Sequence, residues 1–290
     1  MPQYPQDLFA TIDELQFHYR DWGGSGQQVV LLHGLASTCH IWDFVAPILA
    51  QDFAVVALDQ RGHGESTKPD HGYDFASVSQ DLGGFIQYLG LDEPIIAGHS
   101  WGGDVALEFA VANPKVAKGL CFVDGGMIEV SNNHGSLEQA REQMAPPIFI
   151  GFTVEKFLER VRNGNQAHIM NPQVEQVILA NFEVLEDKTI RARLSRDNHI
   201  RIIEALWDHH PRKLYHQVQC PVLVLPARQL SNPALRDRSG RRTASVSAAI
   251  DSLPEGKAVW LEDSVHDVPL QRPKLVASLI KKHIQDGFFG

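Results

Sequence analysis

The stretch EPIIAGHSWGGDVALEF, residues 93–109, decides how the rest of the chain is read. It opens with a short apolar, β-branched run and continues into WGGDVALEFAVANP (101–114), a helical segment stopped by Asn113 and Pro114. Between the two lies the pattern G-x-S-x-G, formed by Gly98, Ser100 and Gly102. Alone the pattern is weak, because glycine and serine are common residues. Its flanks give it meaning. A serine pinched in a strand-to-helix turn needs small neighbours, since the turn is strained, and the geometry lifts its hydroxyl above the sheet at a helix N-terminus. Gly98, Gly102 and Gly103 supply those neighbours. The bland alternative is an ordinary strand-turn-helix joint with a capping serine.

The same punctuation recurs outward. QVVLLHG (28–34), FAVVALD (53–59), GLCFVDGG (119–126), PVLVLPA (221–227) and KAVWLED (257–263) are short apolar runs bounded by turn residues, with helical stretches such as DFASVSQDLGGFIQYLG (74–90) between them. Continuous apolar strands separated by amphipathic helices indicate a parallel sheet covered on both faces, so the fold class is α/β. Ahead of them, FATIDELQFHYRDW (9–22) alternates through a turn at Asp13 and Glu14, as an antiparallel edge hairpin does. From Met127 to about Lys213 no strand signal appears, only helix-like pieces: SLEQAREQM, TVEKFLERVRN, PQVEQVILANFEVL and HIRIIEALWDHH. That stretch is too long for a loop and reads as an inserted helical lid, 127–213, on a core made of 1–126 and 214–290.

Bulk properties exclude several classes. The 290 residues suffice for one large domain or a core with an insertion. A net charge of −9 without a basic stripe argues against a nucleic-acid partner. The densest positive clusters, RDRSGRR (236–242) and LIKKH (279–283), read as a solvated loop and the exposed face of a terminal helix. Cys39, Cys121 and Cys220 lack metal-ligand spacing and read as reduced core thiols. The N-terminus has acids and prolines where a secretory signal carries a basic start and an apolar core, and no apolar run approaches membrane-spanning length. The expectation is a soluble cytoplasmic protein, monomer or homodimer, with a small-molecule partner and no metal or other cofactor.

Four landmarks in order, LLHGL (31–35), DQRGHGES (59–66), GHSWGG (98–103) and DSVHDVPLQRP (263–273), make the chain resemble the α/β-hydrolase superfamily over nearly its whole length. The resemblance implies an eight-stranded, mostly parallel sheet flanked by helices, a lid after the sixth strand, and a nucleophile, an acid and a histidine acting together. Ser100 matches the nucleophile. Relatives that open epoxides or displace halide use a carboxylate there, so a serine points to acyl transfer through an acyl-enzyme. His266 follows the last strand, where the family places its general base, and an imidazole suits that work. His33 and Gly34 match the loop that supplies half of the oxyanion hole, whose donors would be the backbone N–H groups of Leu35 and Trp101. His33 itself braces that loop in this reading. Asp59, Arg61, Gly62 and Gly64 look structural, a tight turn with an internal ion pair, and His63 and Ser66 are not assigned catalytic roles. Asp208, His209 and His210 could suggest a metal site, but adjacent helical residues face different directions, and a polar lid face is the better reading.

The acid departs from the common pattern. Most relatives carry an aspartate after the seventh strand, yet PVLVLPARQLSNP (221–233) offers Arg228, Gln229, Leu230, Ser231 and Asn232 there. Only a carboxylate both orients the histidine and stabilises its imidazolium. A minority of the superfamily places the acid after the sixth strand, where this chain has Asp124 followed by Gly125 and Gly126. Strand ends on that edge line the ligand crevice. Asp124 is therefore the assigned acid, with Asp237 and Asp263 as second and third choices. The expected function is a cofactor-free serine hydrolase cleaving a carboxylic ester, lactone or related acyl compound. The apolar stretch MAPPIFIGF (144–152) suggests a hydrophobic pocket, or packing of the lid on the core. The alternatives are a cofactor-independent oxygenase of a heteroaromatic substrate, and a small-molecule receptor with vestigial hydrolase activity.

Overall fold

A computed structural model of the chain describes residues 4–164, 166–229 and 236–290, the side chains of 236–239 excepted. The strands are β1 (Gln6–Ile12), β2 (Leu15–Asp21), β3 (Gln28–Leu32), β4 (Ala54–Leu58), β5 (Ile95–His99), β6 (Gly119–Val123), β7 (Phe182–Val184), β8 (Ile190–Ala192), β9 (Val222–Leu225), β10 (Ala227–Arg228), β11 (Gly256–Ala258) and β12 (Leu261–Glu262). The helices are α1 (Ala46–Leu49), α2 (Phe75–Tyr88), α3 (Trp101–Ala112), α4 (Leu137–Gln143), α5 (Val154–Arg162), α6 (Pro172–Leu179), α7 (Arg196–Asp208), α8 (Arg236–Ser252), α9 (Val268–Gln271) and α10 (Pro273–Gln285). None of them is long and apolar enough to cross a membrane.

Eight strands form one sheet in the order β1-β2-β4-β3-β5-β6-β9-β11, parallel from β4 onward. The first two make the antiparallel edge hairpin, and their turn residues Asp13 and Glu14 both have positive φ, 45° and 68°, as a tight hairpin turn demands. Alternate residues of the central strands feed two cores. Val30, Leu32, Ile96 and Phe122 pack with α2 and α3 side chains such as Phe85 and Phe109, while Val29, Leu31, Ala97 and Cys121 pack with Trp42, Leu49 and Ile280 on the other face. Burial on both sides is why these strands read as unbroken apolar runs rather than alternating ones. Cys39 and Cys121 are buried, Cys220 is half-buried, and all three are free thiols.

Three expectations need correction. The run KAVWLED is not one strand: it breaks at Val259 and Trp260, with β11 on the main sheet and β12 paired in parallel with β10. The segment between β6 and β9 is not purely helical either. It carries the antiparallel hairpin β7-β8, whose three-residue strands are too short to leave an alternating signal. That hairpin closes a small core of its own in which Phe149, Phe157, Phe182 and Ile190 pack together. Of the stretch MAPPIFIGF, Phe149 and Phe152 are spent on this packing, while Ile148 and Ile150 are exposed. Lastly, RDRSGRR is helical, because it begins α8 rather than forming a solvated loop.

Candidate active site

Ser100 sits between β5 and α3 with φ 51° and ψ −125°, a combination that costs a side-chain-bearing residue of order 1–3 kcal/mol and survives only where the surroundings impose it. Here they do. A Cβ on Gly102 would come within 2.6 Å of the His33 carbonyl oxygen, and one on Gly103 within 2.6 Å of the Gly126 amide, so the turn closes only on glycine. The Ser100 N–H donates to Val123 O at 3.1 Å, locking the turn to the end of β6.

Three residues read from the sequence converge across this turn. The Ser100 hydroxyl lies 2.9 Å from His266 Nε2, and His266 Nδ1 lies 2.6 Å from Asp124 Oδ2. Asp124 follows β6, is almost fully buried, and has φ 50°. Its other oxygen accepts the Ala227 N–H at 2.7 Å and a guanidinium N–H of Arg242. Burial alone raises a carboxyl, but the bond to His266 and the charge of Arg242 outweigh it, so Asp124 is held below the usual range and is ionised. His266 lies between β12 and α9, and about half of its side chain, 51%, faces solvent. Desolvation pulls its pKa down, and the bond to Asp124 more than reverses that, leaving it raised. The ring of His99 braces the backbone of this segment by donating from Nε2 to His266 O at 2.9 Å. Burial depresses its pKa to about 4, so it is neutral and adds no charge.

The loop after β3 packs directly on the serine: a Cβ on Gly34 would stand 2.9 Å from Ser100 Cβ. His33 is fully buried, donates from Nδ1 to Gly34 O at 2.8 Å, and accepts the Gln60 N–H at 3.0 Å through Nε2. It is a brace. His63, also buried, accepts the Ala36 N–H through Nε2 at 3.2 Å and stacks on Trp101 with centroids 5.3 Å apart. The N–H of Trp101 opens α3, where no carbonyl of the same helix can accept it. Leu35 lies on the braced loop between Gly34 and Ala36.

The remaining expectations fare unequally. Asp59 and Arg61 form no pair with each other. Asp59 binds His18 Nδ1 at 2.7 Å together with the N–H groups of Cys39 and Glu65, and Arg61 forms a two-pronged pair with Asp81 of α2. Ser66 accepts the His18 N–H. His209 does not belong to a polar lid face. It is buried, 2.8 Å from Glu108 and 3.0 Å from Asp104, and stacks on Phe75. Among the described residues, the only His, Cys and acid cluster with converging ligand atoms is His18, Cys39 and Asp59. Asp237 lies outside the described side chains, and Asp263 stands at φ 49° ahead of the histidine. Two residues near the site escaped sequence reasoning. Asp104, in the first turn of α3, accepts the N–H groups of Gly126 and Ile128 just beyond Asp124; Arg242 reaches Asp124 from α8. Their partners are 22 to 118 residues away, and no local pattern marks them.

With this fold and elbow in view, the likeness to known proteins follows. A family model described as alpha/beta hydrolase fold matches residues 28–167. The chain has the α/β-hydrolase fold. It is 39% identical over 115 residues to a soluble epoxide hydrolase of Corynebacterium sp. (strain C12), which is 40% of each chain. It is 36% identical over 107 residues to a fluoroacetate dehalogenase of Burkholderia sp., 35% of each. The matches thus span about two fifths or less of these curated relatives. In structure it resembles E-2-(acetamidomethylene)succinate hydrolase, with a TM-score of 0.76 and 20% identity over 97% of this chain and 100% of that one.

Proposed function

We propose that the protein is a serine hydrolase that cleaves a carboxylic ester, lactone or related acyl compound through an acyl-enzyme on Ser100. The observation that carries this reading is the continuous contact from Ser100 Oγ to His266 and on to Asp124, at 2.9 and 2.6 Å. In this mechanism Ser100 Oγ attacks the acyl carbon as its proton passes to His266 Nε2. Asp124 holds the imidazole by Nδ1–H and balances the imidazolium charge. The negative charge that develops on the carbonyl oxygen faces the N–H groups of Leu35 and Trp101. His266 then returns the proton to the departing oxygen, takes one from water, and the acyl-enzyme is hydrolysed to acid and free Ser100.

The curated relatives named as epoxide hydrolase and dehalogenase support hydrolytic chemistry. Members of the superfamily with those two reactions use a carboxylate nucleophile, and a serine in that place favours acyl transfer instead. Residues 127–213 act as the lid in this reading, supported by Gln166, whose side chain donates to Asp267 at 2.6 Å beside the base. The reading is tested with a short-to-medium series of chromogenic acyl esters at neutral pH. Wild type turns over, while Ser100→Ala and Asp124→Asn lose on the order of 10³-fold or more. Absence of wild-type turnover, or survival of activity in Ser100→Ala, sinks it; oxygen uptake with a heteroaromatic substrate would then favour the oxygenase, and ligand binding without turnover the receptor.

A further inference from the structure

Asp124 differs from an ordinary triad acid in its second partner. One carboxylate oxygen faces His266; the other faces the Ala227 N–H and Arg242. Both of those donors come from the β9–α8 part of the chain, the part in which most relatives carry the acid itself. Here the carboxylate stands at the end of β6 and a cation from α8 faces it.

The consequence concerns the resting state. A general base must be neutral before it can accept the serine proton. When His266 is neutral, Asp124 is a buried carboxylate whose other donors, the Ala227 amide and the imidazole N–H, are only dipoles. A buried charge without a counter-charge favours drawing a proton into the pair, and the proton would settle on His266. The side chain of Arg242 is about one-third exposed, 32%, and its guanidinium supplies the counter-charge that the two dipoles do not.

We propose that Arg242 is a positioning residue: the counter-ion of Asp124, which favours the base form of His266 over the imidazolium and fixes the acid when the base is uncharged. This rests on the serine-hydrolase reading for its kinetic consequence, though not for the electrostatics. The groups facing His266 are Asp124 from β6, Ser100 and His99 from the elbow, and Asp267 beside it, tied to Gln166 of the insertion. Asp124 and Asp267 favour the imidazolium and Arg242 opposes it, while neutral His99 supplies no competing cation.

The test is an NMR titration of His266, assigned by comparison with His266→Gln, in wild type, Arg242→Gln and Arg242→Lys. Removing the charge raises the His266 pKa by about one unit, a tenfold shift in protonation, and Lys restores most of it. If Arg242→Gln does not fold, Arg242→Met keeps the aliphatic stem and is titrated in its place. An unchanged His266 pKa in the folded uncharged variant overturns the inference. With an active enzyme the acid limb of kcat/KM moves up by the same amount, a change that general loosening of the site would not produce. The titration needs no turnover, so failure of the hydrolase reading would leave it standing or falling by itself.

Discussion

Ser100 and Asp124 share an uncommon backbone, with φ of 51° and 50°, and their turns are pressed together: a Cβ on Gly125 would collide with the Ser100 carbonyl. Strain of this kind is held by the surroundings and is recoverable by a residue without a Cβ. Ser100→Gly is therefore expected to be more stable than Ser100→Ala by about 1 kcal/mol, and on the proposed mechanism both are inactive. Urea unfolding of the two variants measures the difference, and equal midpoints would mean that the elbow stores no strain. The elbow was legible because its needs are local: small residues at fixed offsets around a serine. His266 and Asp124 were legible because each ends or follows an apolar run in the right order. Arg242 was not, since an arginine among RDRSGRR looks like any solvated cation until α8 turns it inward.

Among the elements, α3 and α7 are joined by a buried charge cluster. His209 caps the C-terminal end of α7 and bridges Asp104 and Glu108 of α3, and Asp104 also holds the loop beyond Asp124 by two N–H bonds. Burial lowers the pKa of His209, but the two carboxylates outweigh it and push it up to about 9 from an ordinary 6.5. Burial also raises the carboxyl of Asp104, which takes back part of the gain. A folded-state value above the unfolded one stabilises fully below pH 6.5, and that contribution is lost as pH climbs through about 9. The melting temperature of wild type is thus expected to fall from pH 7 to beyond 9 more steeply than that of His209→Gln; parallel curves would show that the cluster carries no linked charge. The sequence placed α3 and α7 as helices but not this joint, because Asp104 and His209 are 105 residues apart and each looks like a routine polar residue at a helix end. The hairpin β7-β8 escaped for the opposite reason, being too short to show any period.

For the whole molecule, the parallel sheet and its layering were legible because both faces of the sheet are buried, which forces apolar runs that any reading finds. What tertiary contact alone decides was not: where KAVWLED breaks, and which partners Asp59 and Arg61 choose. One consequence of the layout concerns time. The serine and acid turns lie 24 residues apart on adjacent strands and interlock by the Ser100 N–H bond to Val123, whereas His266 contacts Ser100 across 166 residues. Contacts so distant along the chain close late, because loop-closure entropy must be overcome first. During refolding the far-ultraviolet circular dichroism is expected to recover before the proposed ester turnover does; simultaneous recovery would refute this order. On the proposed mechanism, a partly assembled chain would then carry Ser100 as an inert alcohol, which an acyl donor would not acylate until the last strands are in place.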